Sequence, residues 1–138
     1  MMWDNVMEAV IAELSNNTNI ASLYTVDGKL QIRMSSPSGK QQVPGIEWTL
    51  IGDTEAEVWE PMVVQFDMWY TDEATMRQTE RIIRGMLRQE RMLIGGLRIL
   101  ANYVDGVALA VPDRANFYGR GIRFRIAALR ERYAAVNP

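Results

Sequence analysis

Residues 62–70 read Met62-Val63-Val64-Gln65-Phe66-Asp67-Met68-Trp69-Tyr70. Successive side chains of a strand point to opposite sides. Met62, Val64, Phe66, Met68 and Tyr70 therefore share one face, and Val63, Gln65, Asp67 and Trp69 share the other. One apolar face and one mixed face describe a strand in a sheet that is covered on one side. Thr71-Asp72-Glu73-Ala74 follows directly and reads as a helix start. Thr71 or Asp72 can cap it, and the acids sit where the helix dipole favours negative charge. The pattern predicts a helix from about Asp72 to Met92, ended by Gly95-Gly96. Met76, Ile83, Met86 and Leu87 form the face that would pack on the sheet.

Upstream, Trp3, Val6, Met7, Val10, Ile11 and Leu14 recur at helical spacing and predict a helix over 2–14. Ser15-Asn16-Asn17-Thr18-Asn19 stops it with residues that favour turns. Two strands are expected next, Ala21–Val26 and Lys29–Met34, joined by Asp27-Gly28 in a turn whose two central residues take positive φ. Ser35 to Gly45 holds two Pro, two Gly and three Ser and reads as a flexible loop. Ile46–Ile51 is a further strand, and Gly52 to Glu60 is acidic, with Asp53, Glu55, Glu57 and Glu60.

Downstream, Leu97–Val104 and Val107–Val111 read as strands around Asp105-Gly106, which is either a tight hairpin or a bulge in one long strand. Pro112–Asn116 is a loop, and Tyr118–Leu129 is the last strand, with Ile122, Phe124 and Ile126 inward and Arg123 and Arg125 outward. The tail, Arg130–Pro138, reads as frayed or held by a partner. Short turns between consecutive strands imply antiparallel pairing. The expected fold is α+β: one domain over residues 1–138, a mostly antiparallel sheet with an N-terminal helix and one long central helix packed on it.

The chain of 138 residues holds no Cys and no His. That excludes Ser-His-Asp and Cys-His nucleophiles and any thiolate or imidazole metal centre. It predicts no disulfide, and leaves an enzyme only carboxylates, Lys, Tyr or an oxygen-ligated magnesium ion. No apolar stretch approaches the roughly 18 residues that span a membrane, and the N-terminus lacks the pattern of a signal peptide. The expectation is a soluble chain made in a cytosol, with no membrane partner. The net charge of -2 hides an asymmetry. Residues 1–60 hold 3 basic and 9 acidic residues, a net of -6, whereas residues 61–138 hold 12 basic and 8 acidic, a net of +4. All 12 of the latter bases are Arg, whose forked donors suit carboxylates and phosphates.

Arg77, Arg81, Arg84, Arg88 and Arg91 recur at i, i+4, i+7, i+11 and i+14. On one helix they form a stripe less than a quarter-turn wide at about 100° per residue. The stripe is either a solvated face or a surface for DNA or an acidic neighbour. Glu73 and Glu80 sit four residues before Arg77 and Arg84, the spacing of helical ion pairs. Asp67, Arg123 and Arg125 are expected to form a cross-strand charge pair. Gly119-Arg120-Gly121 and Gly95-Gly96 lack the pattern of a phosphate loop and read as turns or flexible strand. Trp48, Trp59 and Trp69 lie close in sequence and Trp3 adds a fourth. Trp59 and Trp69 read equally as core and as subunit-interface anchors.

Three stretches together carry a resemblance. They are Val43-Pro44-Gly45-Ile46-Glu47-Trp48 after the Gly/Ser/Pro loop, Val63–Tyr70 running into a capped helix, and Phe117-Tyr118-Gly119-Arg120-Gly121-Ile122-Arg123-Phe124-Arg125-Ile126. In these, and in element order over nearly the whole chain, it resembles the tail terminator, or tail-completion, proteins of long-tailed bacteriophages and gene transfer particles. It departs from them around Asp105-Gly106, which is longer and more apolar. The resemblance implies a structural virion protein with no chemistry and no cofactor, assembled in the host cytoplasm. It implies a homo-oligomeric ring, a hexamer, in the tail neck. The ring would cap the tail tube, stop its growth and join a head-closure or connector protein, with genomic DNA passing through the lumen. The interface or lumen candidates are Arg77, Arg81, Arg84, Arg88, Arg91, Trp59, Trp69, Arg123 and Arg125. Ser38, Gly39, Lys40, Gln41 and Gln42 are the candidates for a loop ordered by a partner. Two other readings are a different neck component and a nucleic-acid-binding module using the Arg stripe. The sequence pI of about 5.2 weighs against the latter.

Overall fold

The structure is a computed structural model that describes residues 2–35, 43–51, 61–88, 92–94, 97–109 and 118–130. The chain starts with α1 (Met2–Asn16), which buries Val6, Met7, Val10 and Leu14 along one side. A second helix, α2 (Thr18–Tyr24), stands where a strand was expected over Ala21–Tyr24. The cause is a cap. Asn17 accepts hydrogen bonds from the backbone N–H groups of Asn19 and Ile20, at 3.0 and 3.1 Å, and so satisfies two donors that a helix start leaves open. Ile20 and Tyr24, four apart, then share the buried side. Only Thr25–Val26 (β1) is extended, and it pairs with Lys29–Leu30 (β2). Asp27 and Gly28 between them take φ of 52° and 77°, as the expected hairpin requires.

The main sheet contains β3 (Ile32–Met34), β4 (Gly45–Ile51), β5 (Met62–Tyr70), β6 (Met92–Ile94), β7 (Leu97–Leu109) and β8 (Tyr118–Arg130). Their spatial order is β3-β4-β5-β8-β7-β6. All neighbours are antiparallel except β3 and β4, which run parallel. That exception to the expected pairing follows from chain length. Residues 35–44 separate the two strands, too long a link for a tight hairpin, and β4 runs in the same direction as β3. Gln31 ties this edge to the hairpin. Its N–H donates to the carbonyl of Tyr24, and its own carbonyl accepts from the N–H of Ile46, both at 2.8 Å.

β5 and β8 form the centre. Phe66 and Phe124 meet edge to face at 6.0 Å between ring centroids, and Tyr103 of β7 meets Phe124 at 5.7 Å. Val64, Phe66, Met68, Ile122, Phe124 and Ile126 are buried beneath the helices. The third helix, α3 (Glu73–Met86), packs on β5 and β8. Of the two caps the sequence offers, Asp72 is the one used, accepting from the N–H groups of Ala74 and Thr75. α3 ends earlier than expected. Leu87 leaves the helical conformation, and Met92–Ile94 pairs with β7 instead of extending the helix. Gly95-Gly96, the expected terminator, lies outside the described residues, between β6 and β7. The ambiguity at Asp105-Gly106 resolves to a bulge. β7 is one strand, and its register against β8 shifts between Tyr103 and Asp105.

Tyr24 locks the helical layer to the sheet. It is fully buried, meets Tyr70 edge to face at 5.5 Å, and donates its hydroxyl to Thr79 of α3 at 2.9 Å. Burial pushes its phenol up to about 12, so the donor stays neutral through the physiological range. Replacing Tyr24 with Phe is expected to lower stability by about 1 kcal/mol, the usual net worth of one internal hydrogen bond. Urea unfolding should show a lower midpoint with an unchanged slope.

Candidate functional site

The described part of the expected arginine stripe divides by environment. Arg77, Arg81 and Arg84 lie on α3, Arg88 follows its cap, and Arg91 lies outside the described residues. The single five-residue helical stripe is therefore corrected, because the helix stops at Met86. Arg77 pairs with Glu73 at 2.9 Å in a solvated i, i+4 bridge. Arg84 reaches Glu80 at 3.5 Å, and its guanidinium lies 3.8 Å from the centroid of the Tyr103 ring. Arg81 and Arg88 are exposed and make no ion pair among the described residues.

Beneath this surface Glu80 is only 9% exposed. It accepts from two cations, Arg84 on its own helix and Nε of Arg120 on β8. A carboxylate so far from water needs such partners. The bulge in β7 makes room for them. A Cβ at Gly106 would stand 2.8 Å from both Nη2 of Arg120 and the hydroxyl of Tyr103. Glu80, Arg84, Tyr103 and Arg120 thus form a polar knot that binds α3 to β7 and β8. Sequence reading singled out the Glu80–Arg84 spacing but not Arg120. The available signal was an arginine between two glycines in an apolar strand.

Between the end of α3 and β7 lies an open groove of about 520 Å³. Arg81, Arg84 and Arg88 line one wall, and Ala101, Asn102 and Tyr103 the other. Among the described residues no carboxylate lines it.

The opposite face of the sheet carries the second set of expected residues. Asp67 stands opposite Gly121, not opposite an arginine. It accepts instead from the side-chain amide of Gln65 at 2.8 Å. The expected pair of Asp67 with Arg123 or Arg125 is therefore corrected by register. Arg123 turns to β7, where its Nε donates to Asp105 at 2.7 Å and its Nη2 to the other carboxylate oxygen. Arg125, opposite Val63 and Asn102, is exposed and makes no ion pair among the described residues. Partial burial raises Asp67 above the ordinary carboxylate value of 3.8, with Gln65 working against the shift and nearby Glu47 adding to it. Hydrogen bonding from Arg123 holds Asp105 below that value.

Of the two readings of Gly119-Arg120-Gly121, turn or strand, the strand holds: they lie within β8. The glycines clear space for neighbours. A Cβ at Gly119 would lie 2.4 Å from the Trp69 ring and 3.0 Å from Leu109. Trp69 is accordingly 5% exposed and fills this row. It is packed within the chain, which leaves little of it for a neighbour. Trp59 and the loop Ser38, Gly39, Lys40, Gln41 and Gln42 lie outside the described residues. Among the described residues no group of three potential metal-binding side chains occurs, and no helix is long and apolar enough to cross a membrane.

No family model and no curated protein matches the chain. Its fold is similar to that of a chain in a solved structure described as the virion of a native gene transfer agent particle, with a TM-score of 0.59 and 15% identity. The likeness covers 88% of this chain and 92% of that one.

Three variants test this arrangement. Glu80→Ala leaves Arg120 and Arg84 facing a partly dry site, and is expected to cost about 2–3 kcal/mol in urea unfolding. Arg77→Ala, which breaks an exposed bridge, should cost less than about 0.5 kcal/mol. Asp67 binds its proton more tightly in the folded than in the unfolded chain. Its contribution therefore falls as pH rises from 3.8 through its raised folded value. Asp67→Asn keeps the acceptor for Gln65, so it should raise the unfolding midpoint at pH 7 and change it little near pH 3.

Proposed function

We propose that the protein is a structural component of a phage-like particle, a tail terminator. It forms a ring that caps the tail tube, stops its elongation and presents the surface joined by a head-closure or connector protein. The observation that carries this reading is the shared fold with a chain of a gene transfer agent virion, over most of both chains. The segments behind the sequence resemblance support it. In the fold they contribute to β4, the β5–α3 passage and β8, elements that build the sheet and seat α3. The charge distribution also fits. A chain with a net of -6 in residues 1–60 and +4 in residues 61–138 has complementary ends for head-to-tail association, which closes into a ring when the rotation allows. DNA passing through such a ring would meet surface arginines rather than acids where Arg125 or Arg81 face the lumen.

Light scattering over a concentration and salt series, with negative-stain images, tests the reading. The expected result is a mass of about six chains and annular particles. Added to polymerised tail-tube protein of the same particle, the chain should mark tube tips and hold tubes at fixed length. A chain that stays monomeric throughout and leaves tubes unmarked and growing overturns it.

A further inference from the structure

We propose that the groove between α3 and β7 binds an unpaired nucleotide of single-stranded DNA, its base laid on the guanidinium of Arg84 and its phosphates held by Arg81 and Arg88. The proposal goes beyond the ring reading and does not depend on it.

The groove joins two kinds of surface. Leu87, Ala101 and Phe124, all buried, supply its apolar lining. Arg81, Arg84 and Arg88 supply its charge. A ligand that matches both has an apolar body with negative charge beside it. A nucleotide of a single strand has that form, a flat base with a phosphate on either side. Its size also fits, since about 520 Å³ lies within the range of small-ligand sites. In a duplex the base is already stacked and paired, so a duplex offers such a nucleotide only where it frays or ends.

Arg84 is set as a platform. Its guanidinium lies over the Tyr103 ring, 3.8 Å from the centroid, and it reaches Glu80 at 3.5 Å. Tyr103 is steadied in turn by Phe124, which it meets edge to face. One face of the guanidinium therefore rests on the ring, while the side chain stays 45% exposed. Bases stack on guanidinium planes as they do on aromatic rings. Arg81 and Arg88 are exposed and make no ion pair among the described residues. Their forked donors suit phosphate oxygens. A carboxylate would answer these arginines but leave the flat, apolar part of the groove unmatched.

Gly85 is an independent observation. It lies in the last turn of α3 and lines the groove. Glycine inside a helix costs stability relative to alanine. Here its φ is not positive, and a Cβ would meet nothing within 4 Å. Neither backbone conformation nor packing calls for a glycine, whereas a ligand lying against the helix does. The bare backbone leaves room beside Arg84.

Fluorescence anisotropy with a labelled mixed-sequence strand of about 12 nucleotides, and with its blunt duplex, tests the proposal. Charge alone favours the duplex, whose phosphates are denser. The expected result is the reverse, with the strand bound at least about tenfold more tightly through stacking. Two phosphate contacts predict that log K falls with log salt at a slope of about −1.4. Arg81→Gln with Arg88→Gln should flatten that slope and weaken binding about tenfold. Arg84→Lys keeps the charge and removes the plane, so it should keep the slope and lose the preference for the strand. Gly85→Gln should raise the urea midpoint yet weaken binding, a combination that damage to the fold does not give. Equal or tighter binding of the duplex overturns the proposal, and so does unchanged binding by the double arginine variant. A poly-glutamate peptide of equal charge that displaces the strand at equal concentration also overturns it, because the groove then reads charge alone. The strand titration decides the groove in monomer and ring alike, so tail tubes left unmarked and growing count against the ring reading only.

Discussion

Nine consecutive residue pairs join β5 to β8, from Met62 opposite Ile126 to Tyr70 opposite Tyr118, and the rest of the molecule depends on that register. A slip of one residue would carry Val64, Phe66, Ile122 and Phe124 from the covered face to the open one. With the register held, their rings and branched chains form the floor on which α3 lies. The same register decides the open face. It sets Trp69 and Asp67 opposite Gly119 and Gly121, the two positions in β8 that can receive them. It also moves Arg123 out of reach of its expected partner and into the bidentate pair with Asp105.

The bulge in β7 is the second constraint, and it works with the first. Without the extra residue between Tyr103 and Asp105, one of two requirements would fail. Tyr103 must face inward to meet Phe124, and Asp105 must face outward to meet Arg123. An even strand cannot place residues two apart on opposite faces, whereas a bulge can. Gly106 then leaves room for the guanidinium of Arg120 beneath α3. One local irregularity thus serves the aromatic core, the buried Glu80 and the outer ion pair.

Arginine, so abundant in the second half, plays two physical roles. Arg120 and Arg123 hold elements together against the carboxylates of Glu80 and Asp105, and Arg84 does so over the Tyr103 ring. Arg81, Arg88 and Arg125 are exposed and make no ion pair among the described residues. The paired ones stiffen the scaffold, and the exposed ones leave positive charge on its surface.

Much was legible in the sequence because it depends on neighbours in the chain. The period-2 pattern of Met62–Tyr70, the Asp72 cap, the Asp27-Gly28 turn and the α+β class are local signals, and each reappears in the fold. The Asn17 cap was local too, yet it went unread among residues that equally favour turns. Other features had no local signal. The end of α3 depends on Met92–Ile94 finding a place beside β7, and the parallel entry of β4 depends on where the chain returns. The partner of Arg123 depends on strand register, and Arg120 became a buried ligand of Glu80 only when α3 settled over β8. The sequence alone determined which segments extend, which coil and which face of each is apolar, since periodicity and capping act within a few residues. Which distant charges meet and where a groove opens were decided by tertiary structure, because contacts such as Arg120 with Glu80 and Arg123 with Asp105 join residues 40 and 18 positions apart.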